Sequence, residues 1–415
     1  MRERGRRVQL PGSSATTAVD RAPRIDPGVS ARRTWRWHGR LDARGDRTPG
    51  RSIERSRLLP IDWLRGLVMV MMTVDLASAS FNGGRLFGDS AQSWVPGTAL
   101  PAAQFFTRWV THLCAPTFLF LAGYSLFISV QRRKRDGLPE AEITRFIAAR
   151  GFLIAVLDPL WMVFVHKGEP VLQVLYAIGA SMMAMSLLRR LPARACGALG
   201  LLLIVLHEAV ATAFRHADGV GRALLALTLV PGQVGPFPVW YPVIPWLAVM
   251  LLGWAAADVA RRDAAAFQTR LIVAGLVALG VFAVVRGLNG YGNAGLFRDD
   301  RSLIQWLHTA KYPASLSYLA CELGVAWLLL AALWRSDLPA WVRAPLTVLG
   351  QSALFFYLLH AHLLRFGAWS LGLLRSSNLV ATYVAATVVI VVLLPLCMRF
   401  RQYKLAHPES FAKYL

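Results

Sequence analysis

Residues 60–81 read PIDWLRGLVMVMMTVDLASASF, and this stretch decides the fold class. It is almost continuously apolar and, at 1.5 Å per residue, long enough to cross a bilayer core of about 30 Å. Yet it carries Asp62, Arg65 and Asp75. Similar runs follow at about 103–130, 144–166, 170–188, 195–213, 239–260, 271–286, 313–334, 345–370 and 380–398. Ten such runs predict an all-α, polytopic integral membrane protein.

The composition agrees. Of 415 residues, 55% are hydrophobic and only 16% charged, with a mean hydropathy of +0.45; soluble domains carry about 25% charged residues. This excludes a soluble enzyme, a secreted disulfide scaffold and a conventional nucleic-acid-binding protein, despite a net charge of +22. Residues 1–57 hold 15 Arg against 6 acidic residues and no apolar period, which predicts a disordered basic tail. Such a tail either meets anionic lipid headgroups, stays solvated, or precedes the true start of the chain. The membrane domain is expected over residues 58–415. Further basic residues concentrate in alternate loops, at 131–144, 189–194, 261–270, 335–344 and the chain end. By the positive-inside rule these loops are cytoplasmic, and with an even number of spans so are both termini. The charge thus predicts membrane lipids as partners and no nucleic acid, and leaves a homo-oligomer open. Cys114, Cys196, Cys321 and Cys397 have unrelated spacings, so packing is expected and no metal site.

Ionisable side chains at membrane depth cost at least about 2.5–3.5 kcal/mol and are therefore the functional candidates. Asp62 and Arg65 share a helix face at i,i+3, at the cytoplasmic entry of the first span. Asp75 lies near its outer end. Arg108 and His112 share a face of the second span, and Asp158 precedes Pro159 in the third. Lys311 and Tyr312 open the eighth span, whereas His360 and His362 on the ninth point to different sides. Asp75, His112, Asp158, Lys311 and His360 therefore fall at comparable depth in the outer half of the membrane. An imidazole near a carboxylate suits acid/base or nucleophilic work, and a nearby Lys or Arg suits anionic or developing negative charge. The same parts suit a proton relay in a transporter. Arg286, near a helix end, is expected to snorkel.

In chain order come IDWLRGL at 61–67 with the run to Asp75, FTRWVTHLCAP at 106–116 with Phe118, Phe120 and Gly123, and YAIG at 176–179. YPVIPW at 241–246 with Gly253, KYPASL at 311–316, and Gly350 with FFYLLH at 355–360 complete the series. Together they make the chain resemble the bacterial membrane proteins similar to the catalytic domain of heparan-alpha-glucosaminide N-acetyltransferase, over about residues 56–415. The resemblance implies a transmembrane acyltransferase that takes an acetyl group from cytoplasmic acetyl-CoA and delivers it to a sugar amine across the membrane. The implied acceptor is an extracytoplasmic glycan or lipid-linked sugar. It also implies a catalytic His with a partner near the outer end of the first span. Asp75 holds the partner position, but Leu76 stands where many members have the His. His112 or His360 is then left to supply the imidazole, with Asp75 orienting it. Arg108, Lys311, Tyr312 and Asp158 are expected to bind substrate, and Arg65, Arg132 and Arg133 the phosphates of coenzyme A. Two alternatives share these parts, a transporter of a small organic anion or lipid intermediate and a catalytically silent protein of the same fold.

Overall fold

The computed structural model describes residues 49–165, 168–407 and 410, with side chains from Leu59 onward. The basic segment expected over residues 1–57 lies outside the described residues as far as Thr48; its last residues belong to the first helix. Helix α1 (Pro49–Phe81) is followed by α2 (Ala102–His112), α3 (Cys114–Arg135), α4 (Glu140–Trp161), α5 (Val174–Leu188), α6 (Ala193–Ala213) and α7 (Gly219–Thr228). A small antiparallel hairpin, β1 (Gly232–Val234) and β2 (Phe237–Val239), precedes α8 (Val243–Arg262) and α9 (Ala264–Leu288). The chain closes with α10 (Leu303–Leu307), α11 (Leu316–Trp334), α12 (Ala340–Gln351), α13 (Ala353–Ser370) and α14 (Leu379–Ala406). The protein is an all-α polytopic membrane protein.

Among the described residues eight spans are long and apolar enough to cross a membrane, or nine if α12 and α13 count as one. That is fewer than the ten runs read from the sequence, for two physical reasons. The run at 170–188 yields only the 15-residue α5, because the chain before it is extended and Leu172 pairs with the hairpin at Val239. The run at 345–370 breaks by 90° between α12 and α13, where polar Gln351 and Ser352 interrupt it and bond to Asp62 and the Val348 carbonyl. A second break, at Leu113, separates α2 from α3.

Facing glycines bring three helix pairs closest together, and a fourth, Gly275 of α9 and Gly324 of α11, meets less tightly. A Cβ on Gly123 would stand 2.0 Å from the Met250 carbonyl oxygen, and one on Gly253 only 1.9 Å from that of Phe120, so α3 and α8 touch backbone to backbone. Gly66 and Gly350 do the same for α1 and α12, and Gly151 and Gly179 for α4 and α5. Without a hydrophobic force between helices in lipid, close approach of small residues is what gains van der Waals contact. The α2–α3 span and α8 are the most enclosed, with 72% and 67% of their apolar windows buried, whereas α9 and α14 are 22% buried and form the periphery. The four cysteines are all buried free thiols.

Replacing Gly253 by Ala forces these backbones apart and should lower stability by about 1–3 kcal/mol, the usual cost of overpacking. Gly280, whose added Cβ would meet nothing within 4 Å, is the control. Thermal unfolding in detergent should show Gly253→Ala destabilised and Gly280→Ala unchanged or slightly stabilised.

Candidate functional site

At one end of the bundle, buried charges converge on Arg108. Its Nη1 donates to Asp75 Oδ1 at 2.5 Å, its Nε to Asp89 Oδ2 at 2.8 Å, and its Nη2 to the same Asp89 oxygen. Asp75 Oδ1 also accepts from Arg85 Nη2 at 2.8 Å and Thr111 Oγ1 at 3.0 Å, and Arg85 donates to the Asp75 carbonyl at 2.7 Å. His112 Nε2 stands 3.2 Å from Asp89 Oδ1, and both ring nitrogens are buried without an aligned hydrogen-bond partner among the described residues. In this apolar setting, pairing is what makes the charges tolerable.

Local chain chemistry explains how His112 is held. Pro116, in the first turn of α3, has no N–H to give to the carbonyl four residues back, which is that of His112. The Tyr318 hydroxyl of α11 donates to that carbonyl instead, at 3.0 Å. Asp89 arrives on the loop between α1 and α2. Its carbonyl accepts from the backbone N–H groups of Lys311 and Tyr312 at 2.8 and 3.2 Å. His308 Nε2 fixes the same loop by donating to the Gly88 carbonyl at 2.8 Å. Lys311 is 4% exposed, and its Nζ lies 6.0 and 5.4 Å from the ring centroids of Tyr241 and Tyr312, within electrostatic reach of Asp75 and His112.

Of the residues expected in the site, the structure brings together Asp75, Arg108, His112, Lys311 and Tyr312. It corrects the pairing: the carboxylate facing His112 belongs to Asp89, because Arg108, Arg85 and Thr111 already engage Asp75. His360 is elsewhere. Its Nδ1 donates to the Phe356 and Tyr357 carbonyls, and its ring stacks on Phe356. Asp158 accepts from the N–H groups of Gln173 and Tyr176 at 2.7 and 2.8 Å, so it caps the start of α5. Arg286 does not snorkel. It is fully buried and donates to the carbonyls of Trp306, Leu296 and Gln305 and to Asn293 Oδ1, tying down the loop that leads to His308 and Lys311. Sequence reasoning missed Asp89, Arg85 and His308, which lie outside the apolar runs, where charged residues are ordinary.

Ten residues before Asp75 on α1, Arg65 donates to Asp62 at 2.8 Å, Ser125 Oγ at 2.6 Å and the Gly350 carbonyl at 3.1 Å. Around it gather half-buried Arg133, Arg150 and Lys404: Arg150 is within electrostatic reach of Arg65 and Arg133, and Lys404 of Arg150 and Arg65. Arg133 also lies over the Phe146 ring at 3.6 Å. Arg132, by contrast, is exposed, 4.0 Å from Asp136. Such a cationic group can hold phosphates. Among the described residues no cluster of three or more His, Cys, Asp or Glu is arranged to hold a metal.

Residues 57–285, covering α1 to most of α9, match the profile of the heparan-alpha-glucosaminide N-acetyltransferase catalytic domain. The chain belongs to this family. Comparison with curated proteins gives no match. The matched region of this acetyltransferase family contains Asp75, Asp89, Arg108 and His112, whereas Lys311 and His360 lie beyond it.

Burial pushes the Asp89 carboxyl up, but Arg108 and His112 outweigh it and hold it well below the ordinary 3.8. Its stabilising contribution is therefore full above about pH 4 and lost as the pH falls further. Unfolding in detergent between about pH 2 and 5 should show a smaller acid loss in Asp89→Asn than in the wild type. Arg108→Met, which takes the guanidinium from Asp89 and leaves Asp75 with Arg85 and Thr111, should cost about 3–5 kcal/mol at pH 7.

Proposed function

We propose that the protein transfers an acyl group from a cytoplasmic acyl-CoA, acetyl-CoA in the first instance, to a sugar or glycan acceptor on the far side of a bacterial inner membrane. The observation that carries this reading is the disposition of α1, which holds Arg65 within a cationic group and Asp75 in the charged network ten residues along, about 15 Å away at 1.5 Å per residue. In this reading the Arg65 side is cytoplasmic and both termini lie on that side.

Arg65, Arg133, Arg150 and Lys404 supply the cationic, partly enclosed surface that the phosphates of coenzyme A require. The acyl-CoA brings the activated thioester; this chain's residues bind and move protons. His112, with the Asp89 carboxylate beside Nε2 to stabilise the imidazolium, takes the proton from the acceptor's amine or hydroxyl at Nδ1 by way of one bridging water. Arg108 keeps Asp89 in place, and Lys311 offers positive charge to the developing oxyanion. Asp75 serves chiefly to anchor Arg108 and Arg85, which is consistent with Leu76 beside it lacking an imidazole.

A transporter reading draws support from the 90° break between α12 and α13, since interrupted helices line substrate paths in many carriers. The two readings separate on coenzyme A. Purified protein should be stabilised by coenzyme A, by about 2.7 kcal/mol at a hundredfold excess over Kd. The double variant Arg150→Gln/Lys404→Gln should bind it at least about tenfold more weakly, as lost charge-assisted bonds imply. Label transfer from acetyl-CoA to a sugar panel should fall about 100-fold or more in His112→Ala, the usual weight of a general base. Absence of any coenzyme A shift together with saturable anion uptake into vesicles would replace this function by transport.

A further inference from the structure

Beside the Arg108 network lies a small cavity of about 10 Å³, lined among others by Gly88, Asp89, Arg108, Trp109, His112 and His308. That is about the room one water needs, provided it finds two to four polar partners. Four buried nitrogens of the lining side chains have no aligned hydrogen-bond partner among the described residues: His308 Nδ1, Trp109 Nε1 and both ring nitrogens of His112, of which Nε2 has the Asp89 carboxylate 3.2 Å away. Both histidines are 3% exposed, so bulk solvent does not serve them.

The hydrogen-bond partners assign the tautomers. His308 Nε2 faces the Gly88 carbonyl and so carries its proton, leaving Nδ1 an acceptor. The Asp89 carboxylate 3.2 Å from His112 Nε2 favours the proton at that nitrogen, leaving Nδ1 an acceptor. The Trp109 indole N–H can only donate. Two acceptors and one donor around a water-sized space are the complement of a single water, which donates twice and accepts once.

We propose that this cavity is a binding site for one ordered water that joins His112 to His308, so that the two imidazoles share a proton. The proposal rests on His112 acting as base in the reading above. Once the product has left, the protonated His112 gives its Nδ1 proton to the water oxygen as the water passes one of its own to His308 Nδ1. His112 returns to neutral, His308 becomes the imidazolium, and the water is regenerated. His308 is then a positioning residue that shares the base's proton through the water, in addition to fixing the Gly88 loop. The charges facing His112 are Asp89, Arg108 and Lys311; those facing His308 are Asp89, Arg286 and Asp299. Asp89 is common to both.

The test is independent of acyl transfer, so its failure is distinguishable from failure of the proposed function. Full-length protein carrying ¹⁵N-labelled histidine in lipid nanodiscs is titrated by NMR across about pH 4 to 8, the span in which histidines change charge. His308→Gln, which keeps a donor for the Gly88 carbonyl, should displace the His112 midpoint by about half a unit or more, as expected of coupled sites. Trp109→Phe should displace it as well, and serves as the test if His308→Gln does not fold. A high-resolution map should show a density peak within about 3.5 Å of both Nδ1 atoms, the outer reach of such bonds. An unmoved His112 midpoint in a folded variant, or a dry cavity in the map, overturns the proposal.

Discussion

A guanidinium that cannot be hydrated has to be surrounded by its counter-charges, and Arg108 is where this protein meets that requirement. Its planar fork reaches two carboxylates delivered by different parts of the chain, Asp75 from a membrane-spanning helix and Asp89 from a loop. Arginine suits this task better than lysine because it presents several donors in fixed directions. Once Arg108 is placed, much else at that end follows. Asp75 draws in Arg85, Asp89 draws in His112, and the carbonyl of Asp89 accepts the backbone of Lys311 and Tyr312. Helices distant in sequence are thereby tied to one short loop.

The remaining supports of that loop are neutral or backbone-directed. His308 donates to Gly88, and buried Arg286 closes the 289–307 segment entirely through carbonyl oxygens and one Asn side chain. Tyr318 compensates the carbonyl that Pro116 leaves without a helical donor. The reactive end therefore depends on an ordered loop as much as on helices, which departs from the expectation that a membrane site is built from span residues alone.

That departure also explains what was legible in the sequence. Asp75, Arg108, His112 and Lys311 stood out because a charge inside an apolar run is costly and needs a reason. Asp89, Arg85 and His308 gave no such signal, since polar residues between spans are ordinary and only the folded chain shows that this loop turns inward. Asp158 looked like a ligand by the same cost argument, but its burial is offset by two N–H groups at the start of α5. Hydropathy located the helices well but could not see the 90° turn at Ser352 or the shortness of α5, because both depend on individual polar contacts rather than on average apolarity. Membership of the family was readable from motifs in order, whereas the partner of His112 was not.

The facing glycines carry a mechanical consequence. At the facing glycines, α1–α12, α3–α8 and α4–α5 bring backbone against backbone, leaving little there to compress or slide. Each pair acts as a stiff plate. Any widening that admits a bulky molecule must then be taken up at seams between plates, and the chain already has two places with interrupted helical bonding to absorb it, at Leu113 and at Ser352. One of them joins His112 to α3 and the other adjoins the Gly350 contact with α1, so a rotation of one plate would be felt at both ends of the first span.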